Sequence, residues 1–578
     1  MKKKGLDNIV IIILLLAVGG LFLEYGVSRT YIVKIIVNVI DFSILALFAI
    51  ELVLKFIRAE FKREFFKKNL LDILFFVVFT AFFVSSKYIV FTTPIKEIEY
   101  LPIKYVFIRN IFFALKLMGR FKRLNVILKS FTKNPAQTML ISFLVLILTG
   151  TVLLMLPYAT ADGSLLGFVN AFFTATSAVC VTGLIVVDTA TYFSLFGKIV
   201  IMALIQCGGL GIMIFTSFTA FLLGKKMSLE DRITLSYILN ERDLNNLYSA
   251  VLKIVILTFV IEICGALILY FEFVDYFGHG TVSVLYAVFH SISAFCNAGF
   301  ALFSDNFEQF KSDTAINMSI CMLIILGGIS FAVLTNVFQV VKQRIKRVKN
   351  GGSRGHLMLT VNTKIVLTIT FILLVSGVFI FYGIEHRSQL MGYDLKTQYL
   401  AVFFESVTLR TAGFNTINMS VLRTPTYLVM ILFMFIGGAA GSTAGGIKVN
   451  TLGIIYGYVK SMLGNRNNVV LFKHAIAPEQ ISRGLIIFFM SILAVFTGAV
   501  VLSVIEQFNL IQILFEVVSA FGTVGLSTGI TPALSAAGKL IISGIMFLGR
   551  LGPLTIITAL SVERRISAKY PDGYINIG

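Results

Sequence analysis

The sequence predicts an all-α polytopic membrane protein: four helix, pore-loop, helix repeats around one central pore, preceded by a four-helix bundle. Three observations predict it. Of 578 residues, 57% are hydrophobic and only 13% charged, where a soluble domain carries about 25% charged residues. Runs such as 9–23, 251–270, 365–381 and 485–505 approach or exceed the roughly 18–20 apolar residues that span a bilayer. Finally, a short phrase around one glycine returns at Gly183, Gly299, Gly413 and Gly525, with separations of 116, 114 and 112 residues. A near-constant period this long marks a duplicated structural unit, and four units around an axis can set four equivalent backbone segments around one hole.

The elements follow in chain order. The run 9–23 comes after the basic start Lys2–Lys4 but has no convincing small-residue cleavage site, and another hydrophobic segment soon follows. It reads as a retained helix rather than a signal peptide. Four helices are expected before residue 130 and eight after it. The net charge of +20 is concentrated in connecting segments: Arg58 to Lys68, Arg120 to Lys129, Lys342 to Arg354 and Arg564 to Lys569. By the positive-inside rule these are cytoplasmic, which places 186–191 and 303–313 outside and both termini inside. No basic face with interleaved aromatics remains under this topology, so a nucleic-acid partner is not expected. The divisions expected are 1–130 for the bundle, 131–224 for the first pore repeat, 225–341 for the second, 342–457 for the third and 458–578 for the fourth with the tail.

Each repeat has the same internal order, clearest in the first: an apolar helix over 139–156, a shorter segment 166–178, the glycine phrase, then a longer helix over 195–223. The middle segment is too short to cross and should re-enter from outside. Irregular backbone at that depth is tolerated only where it is buried in protein or lines a water-filled cavity. The phrases read SAVCVTGL (177–184), SAFCNAGF (293–300), TLRTAGF (408–414) and SAFGTVGL (519–526). Glycine reaches positive φ without a Cβ clash, so the carbonyls beside it can point at a central ion and replace its hydration shell. The candidate filter backbone is therefore Val181, Thr182 and Gly183; Asn297, Ala298 and Gly299; Thr411, Ala412 and Gly413; and Thr523, Val524 and Gly525. Helix packing would explain one such phrase; it does not explain four in register.

A second feature lies in the third repeat. GGAAGSTAGG at 437–446 puts five glycines in ten residues of what should be the inner helix, each costing about 1 kcal/mol relative to alanine. The helix should break there. The resulting loop can obstruct the cavity below the filter, or its small residues can pack against a neighbouring helix; other inner helices contain shorter glycine interruptions, at 208–211 and 327–328. Two cations lie near it. Arg550 stands in an apolar helix, where an ionisable group faces a cavity or a partner; Lys448 acts at the loop or snorkels to the inner interface. Arg410, just before the third filter glycine, is expected to brace the filter from behind on Glu405, since a guanidinium aimed into a cation filter would oppose conduction. The five cysteines lack paired spacing, so no disulfide framework or zinc site is expected. The five histidines are too scattered for an enzyme's acid, base or metal set, and no phosphate-binding loop or pump-type aspartate motif occurs. No covalently bound cofactor is implied, and the only metal expected is the permeating ion.

From about Asn134 onward the chain resembles the membrane subunit of the Trk/Ktr/HKT superfamily of potassium transporters, the Ktr type above all. AVCVTGL (178–184), RTAGFNT (410–416) and FLGRLGP (547–553) carry the resemblance. It implies potassium uptake across a bacterial inner membrane through a gated, channel-like pore, driven by the membrane potential. The alternative on the same scaffold is a sodium-coupled or sodium-permeable cation transporter. In that family glycine in all four filter loops goes with potassium preference, and all four are glycine here. The gate implied is the intramembrane loop with Gly437, Gly438, Gly441, Ser442, Thr443, Gly445, Gly446 and Lys448, beside Arg550. A homodimer on a separate cytosolic nucleotide-binding regulatory subunit is also implied. In the first 130 residues, Phe48 and Glu51 followed by Asp72 resemble the second and third helices of voltage-sensor domains. The expected fourth helix, with Arg109 and Lys116, lacks an arginine at every third position. A charge crossing the full field is worth about 2.3 kcal/mol per 100 mV, so one or two would bias a gate only weakly. A structural or assembly role is the favoured reading there.

Overall fold

The computed structural model describes residues 135–211, 214, 247–350, 358–466 and 468–560, with scattered positions between 39 and 80. The voltage-sensor-like residues Phe48, Glu51, Asp72, Arg109 and Lys116 lie outside the described residues.

Within them the repeat appears as four successive triplets of outer, pore and inner helix. The first is α1 (Pro135–Leu154), α2 (Phe168–Val179) and α3 (Leu195–Leu210). The second is α4 (Leu247–Phe277), α5 (Thr281–Phe295) and α6 (Thr314–Gly328), after which the chain turns into α7 (Phe331–Asn350). The third is α8 (Val361–Glu385), α9 (Leu395–Thr408) and an inner helix split into α10 (Thr424–Phe435) and α11 (Val449–Leu463). The fourth is α12 (Pro478–Ile505), α13 (Leu510–Gly522) and α14 (Ala536–Leu551), followed by α15 (Pro553–Leu560). A two-residue hairpin, Val470–Leu471 with His474–Ala475, follows α11. The divisions drawn at 341/342 and 457/458 fall inside α7 and α11.

Length separates the roles. The outer helices run 20, 31, 25 and 28 residues and are long and apolar enough to cross a bilayer. The pore helices have 12 to 15 residues, about 18–23 Å at 1.5 Å per residue, and cannot span some 30 Å of hydrocarbon. The returning inner helices start on side-chain caps: Ser194, Asp313 and Ser535 accept from the amides of Gly197, Ile316 and Gly538. Such a cap is worth about 1 kcal/mol. In the third repeat Pro425 opens α10 instead.

Each outer helix packs on its own pore helix, and three of the inner helices wedge between their own pore helix and that of the next repeat. Thus α3 lies against α2 and α5, α6 against α5 and α9, and α14 against α13 and α2, while α10 packs on α13. The fourth repeat closes onto the first, which makes the arrangement cyclic. The expected helix 195–223 stops at Leu210, because Gly211 takes φ +80°. Equivalent breaks bend α6 to α7 by 103° and α14 to α15 by 92°.

Candidate functional site: a glycine ring and the loop beneath it

Each pore helix ends in a turn whose conformation repeats. Two residues before the glycine the backbone is left-handed at Val181, Asn297, Thr411 and Thr523, with φ +58°, +59°, +73° and +50°; the glycines follow at +91°, +69°, +81° and +94°. β-Branched residues rarely adopt this setting, so the turn must be held from outside. It is: the amides of Thr182, Ala298 and Val524 donate to the carbonyls of Ser177, Ser293 and Ser519 at 2.7–2.8 Å, closing the turn onto the helix end. In the third repeat the bond is one residue tighter, Ala412 N to Thr408 O at 3.0 Å. The hydroxyls of Ser177 and Ser519 accept from the filter amides of Gly183 and Gly525 at 3.0 and 3.1 Å. With its amide oriented so that both of its groups are satisfied, Asn297 donates to the carbonyls of Ala294 and Ile324, 3.1 Å from each, and so ties the second turn to α6.

The four glycines meet in one ring. A Cβ on Gly183 would lie 2.5 Å from the Ala298 carbonyl oxygen and 3.0 Å from Gly299 Cα; on Gly299, 2.7 Å from Ala412 O and 3.0 Å from Gly413 Cα. On Gly413 it would strike Val524 O and stand 3.1 Å from Gly525 Cα, and on Gly525 it would strike Thr182 O, 3.0 Å from Gly183 Cα. The sequence of contacts runs 183, 299, 413, 525 and back to 183. The four candidate filter glycines and the carbonyls of Thr182, Ala298, Ala412 and Val524 are therefore brought together, and glycine is required at the four positions by both φ and space.

Beneath this ring lies the glycine-rich segment of the third repeat. The helix breaks where composition predicts it, between Phe435 and Val449. The two ends of the loop pair, Gly437 N donating to Ile447 O at 2.8 Å. On one side the loop leans on the second repeat: Ala439 N donates to Gly328 O at 3.0 Å, and Thr443 donates its hydroxyl to Gly327 O at 2.9 Å and to Phe295 O at 3.3 Å. On the other it lies under the fourth filter turn, where a Cβ on Gly445 would overlap Thr523 and one on Gly446 would come within 3.2 Å of Gly522 Cα. Arg550 completes the crossing, donating to Thr443 O in the loop and to Gly208 O at the end of α3. One guanidinium on the fourth repeat thus joins the third to the first.

Lys448 does not snorkel away. Its ammonium donates to the Ala444 and Gly445 carbonyls, the latter at 3.3 Å, closing the loop from within. The expected Arg410–Glu405 brace is not formed. Glu405 accepts from the Thr416 amide at 3.0 Å, and Arg410 is buried with Nε and Nη2 unpartnered. Glu405 turns toward the rising leg of its own loop, which offers it an amide. Cys180 and Cys296 are fully buried behind the first and second turns, as their place in the phrase predicts. Sequence reading missed the seats of Gly208, Gly327 and Gly549, where a Cβ would overlap the Val179, Phe295 and Phe521 carbonyls at the pore-helix ends. Their spacing from the filter glycines, 25, 28 and 24 residues, was the available signal.

Fold and ring together define an all-α polytopic membrane protein built from four helix, loop, helix repeats. The TrkH cation transport protein family model matches residues 105–569, and the chain belongs to that Trk/Ktr family. Among similar proteins, the Ktr system potassium uptake protein B of Bacillus subtilis is 39% identical over 447 residues, covering 77% of this chain and 97% of the relative. The potassium/sodium uptake protein NtpJ of Enterococcus hirae is 35% identical over 453 residues, with 77% and 97% covered. The crystal structure of the potassium transporter TrkH from Vibrio parahaemolyticus shares the fold, with a TM-score of 0.55 at 19% identity, over 72% of this chain and 84% of that one.

Proposed function

We propose that this chain takes up potassium through a gated pore whose filter is the ring of Gly183, Gly299, Gly413 and Gly525, with the carbonyls of the three residues at each turn as ion ligands. The observation that carries the reading is the closed cycle of contacts among the four glycines and the carbonyls of Thr182, Ala298, Ala412 and Val524. The relatives named for potassium uptake support the ion. The loop 437–446, crossing below the ring and held by Arg550 and Lys448, is the gate. Its bonds to the second repeat and to Arg550 of the fourth hold it shut, and charge-assisted hydrogen bonds such as those of Arg550 are worth about 1.5–3 kcal/mol each.

The membrane potential drives entry on this reading: about 2.3 kcal/mol per charge per 100 mV supports roughly fiftyfold accumulation at 1.4 kcal/mol per tenfold. Sodium coupling is the second reading, favoured by the relative named for potassium and sodium uptake. A homodimer, a separate nucleotide-binding regulatory subunit on the cytosolic side, a bacterial inner-membrane location with both termini inside, and a mainly structural bundle over 1–130 complete the proposal.

Rubidium or potassium uptake in uptake-deficient bacterial cells, with and without sodium and at stepped membrane potential, tests it. Uptake that follows potential without sodium supports the gated pore. Uptake that needs sodium makes the chain a coupled carrier, and absence of uptake even with a cytosolic partner supplied overturns both.

A further inference from the structure

Beyond each filter glycine the chain climbs back outward as an irregular leg, and the amide three residues on has no helix to donate to. In three repeats a pore-helix side chain supplies the acceptor. Leu302 N donates to His290 Nε2 at 3.0 Å, Thr416 N to Glu405 Oε1 at 3.0 Å and Thr528 N to Glu516 Oε1 at 3.2 Å. All three acceptors are at most 1% exposed, and so is Thr416; Leu302 and Thr528 are also buried. The registers agree: His290 and Glu516 lie nine residues before their glycines and Glu405 eight, the third turn being one residue tighter. Two residue chemistries at one structural position, meeting the same amide, point to the bond rather than to packing.

Further partners fix each acceptor. His290 Nδ1 lies 2.7 Å from Tyr286 O. A carbonyl only accepts, so Nδ1 carries the proton and Nε2 is free to accept from Leu302; the ring is neutral. It stacks on Phe303 at 4.7 Å with an interplanar angle of 5°. Glu516 also takes the hydroxyls of Ser527 and, at 2.9 Å, of Thr531. Glu405 takes the Thr416 hydroxyl at 3.4 Å. The first repeat differs: Thr174 stands at the equivalent position, nine residues before Gly183, and spends its hydroxyl on Asn170 O at 2.9 Å.

We propose that His290, Glu405 and Glu516 are filter-positioning residues that pin the outer legs of three of the four loops and thereby set the discrimination between potassium and sodium. The reasoning is geometric. Each pinned amide is three residues from a glycine whose preceding carbonyl stands against the glycine of the repeat before it, so movement of a leg displaces the ring. Selectivity, whether it arises from cavity size or from the number of carbonyl ligands, depends on where those oxygens are held.

This inference rests on the reading of the ring as a potassium filter, and two measurements separate their failures. Potassium uptake, with sodium as competitor, is compared for H290Q, E405Q and E516Q, which retain a side-chain acceptor, and for H290L, E405L and E516L, which remove it. The leucine variants, at parental amounts in the membrane, are expected to raise KM for potassium about tenfold, equivalent to 1.4 kcal/mol, and to admit sodium, with little change in maximal rate. The glutamine variants should stay near the parent. Leucine variants with parental KM and sodium competition would overturn the proposal. Amide hydrogen exchange on the unsubstituted full chain in lipid nanodiscs decides the case even where a variant fails to insert. Leu302, Thr416 and Thr528 should exchange as slowly as the pore-helix cores, and fast exchange at all three would overturn the brace. A parent that takes up no potassium in selective fashion would sink the proposed function, whatever the exchange result.

Discussion

The inner helices of the first, second and fourth repeats use glycine differently from the third. In the three, one glycine late in the helix seats the backbone on the carbonyl that ends its own pore helix: Gly208 on Val179, Gly327 on Phe295, Gly549 on Phe521. In the third, α10 stops at Phe435 after 12 residues, and Gly437 folds against Gly445 within its own loop. There the glycines serve conformation, with Gly441 at φ +78° and Gly446 at +62°. The same residue type thus holds the filter close in three places and turns the chain beneath it in one. The cyclic scaffold tolerates the exception because α10 still packs on the pore helix of the fourth repeat.

The ring itself should be least forgiving. Gly299→Ser and Gly413→Ser place a Cβ against Ala412 O or Val524 O at positive φ, and are expected to abolish potassium-selective uptake while the protein still reaches the membrane; unaltered selectivity would break the pore reading. Next come the seats. Gly549→Ala should cost about 1–3 kcal/mol by overpacking and lower the melting midpoint of the purified protein. Gly441→Ala has room, its Cβ 3.5 Å from Ser330 Oγ, but strains the backbone at φ +78° by about 1 kcal/mol, so it should destabilise less than the seat variant and show chiefly as an altered uptake rate. Equal destabilisation by the two would erase the distinction between seat and loop. A smaller effect is expected at the loop's tether. Thr443→Val removes the hydroxyl bonds to Gly327 O and Phe295 O, and about 1 kcal/mol shifts a closed gate toward opening about fivefold, read as faster uptake at unchanged potassium preference.

Much of this is legible in the amino-acid sequence. The glycine period points to the fourfold ring, because a ring built by duplication repeats the residue that its contacts require. The cluster at 437–446 gave the break in the third inner helix, because glycine cost accumulates along a run. Individual polar partners were not legible. Arg410 and Glu405 are five residues apart with opposite charge, yet Glu405 bonds the amide of Thr416, since a buried amide without an acceptor competes for the same carboxylate. Lys448 illustrates the same limit: its stem is long enough to reach the interface, but carbonyls three and four residues back were nearer. Sequence separations of hundreds of residues, as between Arg550 and Gly208, are set only by ring closure.

The outer rim offers the mildest test of how the second and third repeats are joined. Glu308, in the loop after the second filter, accepts from Asn415 Nδ2 at 3.0 Å, while Phe307 N donates to Asn415 O at 3.0 Å. Partial burial, then the neighbouring Asp305 carboxylate, hold the Glu308 carboxyl above its ordinary pKa of 4.5. The folded state therefore binds this proton more tightly than the unfolded one. Its stabilising contribution is full below the unfolded pKa and is lost as pH rises through the folded one. Glu308→Gln keeps an oxygen for Asn415 and removes the titration. Melting midpoints measured from about pH 4 to pH 7 should then show the variant gaining on the parent as pH rises, by a margin that solvent screening keeps small. A difference that does not change with pH would mean that the charge of Glu308 is not felt at this junction, and that the rim is joined by the Asn415 bonds alone.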